Sequence, residues 1–140
     1  TATETSLNDQ LLQAAKSGSL EQVKNLVAKG ADVNSKGKDG RTVLMKAAKS
    51  GNLGLVKFLV SKEADIYARN RYGKTVLMSA AESEKPEVVK FLIDKGLDVN
   101  AETGLGYTVL MVAASSGNLE WACYLFTRRN QQTSRMLHAS

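Results

Sequence analysis

The stretch Thr42-Val43-Leu44-Met45-Lys46-Ala47-Ala48-Lys49-Ser50-Gly51-Asn52 decides the fold. Leu44, Ala47 and Ala48 stand at i, i+3 and i+4, so they share one face of a short helix. Ser50-Gly51-Asn52 breaks that helix, and Leu53, Val56, Leu59 and Val60 form the stripe of a second. The opening tetrad Thr-Val-Leu-Met returns at Thr75 and at Thr108, 33 residues apart each time. Ala-Ala pairs fall on the same spacing at Ala14-Ala15, Ala47-Ala48, Ala80-Ala81 and Ala113-Ala114. Asp32-Val33-Asn34 recurs as Asp98-Val99-Asn100, with Asp65-Ile66-Tyr67 between them. Self-similarity at one period marks a repeat architecture. Each unit reads as two short helices and an extended finger. The alanine pair has a steric reason: adjacent helices approach closely only where the facing side chains are small. No unit buries its own stripe, so burial comes from stacking on the next.

These residues resemble the ankyrin repeat, whose signature is Thr-Pro-Leu-His-x-Ala on a 33-residue period. In the second unit the resemblance rests on Gly40, Thr42, Leu44, Ala47, Ala48, Gly51, Val56, Leu59, Ala64 and Asp65. It runs over residues 7–130. It implies an all-α solenoid of about four helix-turn-helix units with finger loops, with units near 7–38, 39–71, 72–104 and 105–130. Residues 1–6 then form a flexible N-terminus. For residues 131–140 two readings stand: a tail folded back as a short helix over the fourth unit, or the start of a further, truncated unit.

The sequence departs from the family pattern at definite places. Val43, Val76 and Val109 stand for its proline, and Met45, Met78 and Met111 for its histidine. The Thr–His hydrogen bond is thereby lost, and methionine is expected to fill the same space as a soft apolar side chain. Glu63 and Glu84 occupy places where the family has glycine; a positive φ there costs about 1 kcal/mol. Pro86 suits the first turn of its helix, where a missing N–H does no harm. Unit one carries Gln22 and Asn25 where later units have Leu55 and Phe58, Val88 and Phe91, or Trp121 and Tyr124. A polar outer face is what an end cap requires, and Ser6 or Asn8 is a candidate N-cap for its first helix.

Composition excludes several classes. Of 140 residues 43% are hydrophobic and 24% charged, which is globular and neither collagenous nor disordered. No apolar run approaches the ~18 residues of a membrane helix, and Thr1 to Ser6 lacks a secretory pattern. The chain does not start with methionine, which implies cutting from something longer. A single cysteine, Cys123, builds neither an internal disulfide nor a thiolate metal site. A cytoplasmic or other intracellular location and a monomer are therefore expected. No cofactor or metal is expected, and no enzymatic activity: the one histidine, His138, has no nucleophile set around it. Gly104-Leu105-Gly106 matches no phosphate loop.

Charge points to a binding surface. Residues 34–74 carry 10 basic and 3 acidic groups, whereas the flanking parts are close to neutral. In ankyrin arrays the fingers and first helices line a concave groove, and the resemblance places partners there. On this chain it assigns Lys38, Arg41 and Lys49 to the second unit's groove, then Arg69, Arg71, Tyr72 and Lys74, then Leu105 and Tyr107. The expected function is a protein-interaction scaffold that takes an acidic or mixed acidic–apolar partner, steered by the cations and anchored on the tyrosines. The alternative is RNA, a nucleotide or another phosphorylated ligand on Arg41, Arg69, Arg71 and Lys74; no RNA-binding module accompanies them. A third reading is a targeting piece of a larger enzyme.

Overall fold

A computed structural model describes residues 6–83, 85–115 and 123–127 of the chain. Seven helices follow one another: α1 (Leu7–Ser17), α2 (Leu20–Ala28), α3 (Val43–Ser50), α4 (Leu53–Ser61), α5 (Val76–Ala81), α6 (Pro86–Asp94) and α7 (Val109–Ser115). A further helical stretch covers 123–127. The described residues contain no strand beyond two isolated antiparallel bridges, Lys36 with Thr42 and Arg69 with Thr75, which close the fingers.

The repeated threonine is a helix start. The hydroxyls of Thr42, Thr75 and Thr108 accept from the N–H groups of Met45, Met78 and Met111 at 3.2–3.3 Å, which satisfies an otherwise orphaned donor. Ser19 and Asn52 do the same for α2 and α4. Unit one has no threonine there, so α1 starts earlier, on Ser6, whose hydroxyl takes the Asp9 N–H. The other candidate, Asn8, instead accepts the Asp32 N–H at 2.8 Å. Gly18 and Gly51 end α1 and α3 in the left-handed conformation, the ordinary helix stop.

First helices pack on first helices, α1 on α3, α3 on α5 and α5 on α7, and α1, α3 and α5 each pack on the second helix after them. Leu11, Leu44 and Leu77 lie in one continuous core with Val23, Val56 and Val89. Ala15, Ala47, Ala48 and Ala80 are wholly buried between the layers. Met45 and Met78 are fully enclosed, as expected of residues that replace a histidine by packing. Met111 is not: 50% of its surface is exposed, because no described helix stacks beyond α7. The end-cap expectation fits the exposure pattern. Gln22 is exposed, while Leu55 and Val88 at the same repeat position are sealed at 0%.

Asparagines stitch the units together. Asn34 accepts the Asp65 N–H at 2.7 Å, and the Asn52 amide donates to the Gly18 carbonyl at 2.8 Å. Glu63 has φ +68°, so this place does require a left-handed residue. Glu84, Trp121, Arg128, Arg129 and the tail lie outside the described residues.

Candidate functional site

The second and third fingers are tight turns, each built on one polar residue. Asn70, 8% exposed, accepts the N–H groups of Tyr72 and Lys74 at 2.9 and 3.0 Å. Thr103 holds the N–H groups of Leu105 and Tyr107 in the same way at 3.3 and 3.1 Å. Gly73 closes its turn with φ +83°. Successive fingers touch through backbone, since the Gly104 N–H donates to the Tyr72 carbonyl at 3.0 Å. A Cβ on Gly73 would meet the Gly104 nitrogen at 3.1 Å, so glycine is required for the approach as well as for the turn.

That stacking creates a cradle of about 660 Å³ between the second and third fingers. Six residues assigned from the sequence meet in it: Arg41, Arg71, Tyr72, Lys74, Leu105 and Tyr107. Its apolar members are open to solvent, Leu105 at 85%, Tyr72 at 66% and Tyr107 at 54%. Three more fall outside. Lys49 lines a neighbouring depression with Lys16, Arg41 and Lys46. Lys38 lines another against α1. Arg69 lines a smaller cavity with Ile66, Tyr67 and Leu97.

The cations are partly engaged. Arg41 pairs with Asp39 at 3.3 Å. The Arg41 N–H holds the Asp39 carboxyl below its usual value, helped by the Lys46 and Arg41 charges. Arg71 donates to the Lys38 carbonyl, and Arg69 to the Glu102 carbonyl at 2.9 Å, so both guanidinium groups tie one finger to another. Lys74 touches the Glu82 carboxylate through Oε1. The other oxygen, Oε2, lies 3.7 Å from Lys49 Nζ and is buried with no hydrogen-bond partner among the described residues. Burial, with Arg41 and Lys49 nearby, pushes the Lys74 ammonium down to about 8; the carboxylate in contact with it works against that shift.

Sequence reasoning missed a second feature, on the opposite layer. Phe58 lies under Lys24 and Lys62 at 5.9 and 5.8 Å, Phe91 under Lys57 and Lys95 at 5.7 and 5.4 Å, and Tyr124 under Lys90 at 5.2 Å. These are cation–π distances. Part of the central charge excess, Lys57 and Lys62, therefore covers aromatic rings on the second helices and is not in the groove. The signal was present: Lys24, Lys57 and Lys90 are 33 apart, as are Lys29, Lys62 and Lys95.

No described helix is long and apolar enough to cross a membrane. The described residues hold no group of three or more potential metal ligands. Cys123 is exposed. No curated protein matches the chain. A family profile described as ankyrin repeats in three copies matches residues 11–103, and one described as ankyrin repeats in many copies matches 92–135. Such repeats are generally protein–protein interaction modules and typically non-enzymatic. By these matches, and by the 33-residue helix pairs with their stacked fingers, the chain belongs to the ankyrin-repeat family.

Proposed function

We propose that this chain is a non-enzymatic scaffold whose groove receives an acidic or mixed acidic–apolar segment of another protein. One observation carries the reading: Tyr72, Leu105 and Tyr107 are exposed together in the cradle that also holds Arg41, Arg71 and Lys74. Exposed aromatics in a preformed concavity are typical anchors, and adjoining cations steer an acidic partner. The phosphate reading is weaker here. Arg41 and Lys74 already face carboxylates, and Arg69 and Arg71 are used on finger carbonyls. A phosphate cluster needs donors that converge on one vacant point.

The test is binding of a fluorescent peptide that joins a glutamate block to Leu and Tyr. Tyr72→Ala with Tyr107→Ala weakens it about tenfold or more, while the melting temperature holds. Retained affinity in that variant, with loss on Lys57→Ala and Lys90→Ala on the opposite layer, would overturn the groove assignment.

A further inference from the structure

The groove-facing position at the end of each first helix is Lys16, Lys49, Glu82 and Ser115 in successive units. Glu82 thus places a carboxylate where the preceding units place an ammonium. It caps α5 in right-handed conformation and bridges two units, meeting Lys74 of its own finger and Lys49 of α3. Its side chain is only 26% exposed. Oε1 accepts from the Lys74 ammonium, while Oε2 is buried without a hydrogen bond among the described residues and faces Lys49 by charge alone. The carboxylate's field on Lys74, whose side chain is 16% exposed, is less screened than its field on Lys49, whose side chain is 53% exposed.

We propose that Glu82 is a specificity-determining residue: an internal carboxylate that occupies the lysines a partner's acid would otherwise take. This rests on the groove reading above. With Lys49 and Lys74 engaged, positive charge remains on the Lys16–Lys46 wall, toward α1. The apolar anchors lie toward the third finger. The preferred partner is therefore graded, with its acidic part over α1 and α3 and its apolar part in the cradle. Ligands acidic along their whole length are disfavoured, because their charge over α5 meets Glu82.

The experiment compares two probes, hexaglutamate and a glutamate block joined to Leu-Tyr, on the full chain. Glu82→Gln raises affinity for hexaglutamate about three- to tenfold at low salt, and the gain shrinks as the Debye length falls from about 30 to about 8 Å. The graded peptide gains less. Lys49→Gln adds a coupling readout independent of any change in fold stability. It lowers hexaglutamate affinity less than about twofold in the wild type and about fivefold in the Glu82→Gln background. Circular dichroism checks that each variant is folded. Equal Lys49→Gln effects in both backgrounds, or no gain from Glu82→Gln while the graded peptide binds, overturn the role of Glu82 alone. Failure of the folded wild type to bind either probe overturns the groove reading, and this proposal with it.

Discussion

Replacing Gly73 and Gly106 by alanine, one at a time, measures what finger stacking contributes. Both residues have φ +83°, so the two substitutions carry the same backbone penalty, about 1 kcal/mol for a left-handed alanine. Their surroundings differ. Around Gly106 a Cβ finds nothing within 4 Å, whereas at Gly73 it meets the Gly104 nitrogen at 3.1 Å and Thr103 Cα at 3.3 Å. Both neighbours are backbone, so relief requires the third finger to move. That movement stretches the Gly104 N–H bond to the Tyr72 carbonyl, whose net contribution is about 1 kcal/mol. Overpacking adds about 1 kcal/mol or more. Gly106→Ala is thus expected to destabilise by about 1 kcal/mol and Gly73→Ala by about 3 kcal/mol. Urea denaturation at constant m-value reads both. Because the displaced finger carries Leu105 and Tyr107, Gly73→Ala should also weaken the graded peptide while Gly106→Ala leaves it nearly unchanged. Equal losses in the two variants would refute the argument, since the fingers would then not constrain each other.

Three other outcomes are expected. Met45→Ala should cost about 2–5 kcal/mol and Met111→Ala less than about 1 kcal/mol, because the first is 1% and the second 50% exposed; similar denaturation midpoints would contradict this. Glu63→Gly should raise stability by about 1 kcal/mol by relieving φ +68°, and a lower melting temperature would show that the glutamate side chain outweighs its backbone strain. In the wild type burial, with Arg41 and Lys49 nearby, already pushes the Lys74 ammonium down to about 8 from 10.5, and Glu82→Gln, by removing the carboxylate in contact with it, lowers it further. The variant's folded state then binds fewer protons than the wild type's, so its deficit is present near neutral pH and shrinks as pH rises through about 8. Chemical denaturation near pH 7 and near pH 9.5 checks this, and a deficit independent of pH would count against it.

The repeat frame was legible because stacking imposes one geometry on every unit. Thr42, Thr75 and Thr108 recur because each must cap a helix, and Gln22 is exposed where Leu55 and Val88 at the same repeat position are sealed. The start of α1 was less clear, since Ser6 and Asn8 are both good caps and only the structure commits Asn8 to Asp32. The site was legible in part. Repeat position placed Arg41, Tyr72, Lys74, Leu105 and Tyr107 on one wall. It did not separate Arg69, which lines a different cavity. Nor did it show which charges are spent within the array. Lys62 over Phe58 and Lys74 against Glu82 depend on side-chain reach between elements, which spacing along the chain does not encode.

The groove assignment is tested most directly by amide chemical-shift mapping during titration with the graded peptide. Shifts should concentrate at Arg41, Tyr72, Gly73, Lys74, Leu105 and Tyr107 and spare Lys24, Lys57 and Lys90. Shifts confined to α2, α4 and α6, with the finger amides unmoved, would contradict the account.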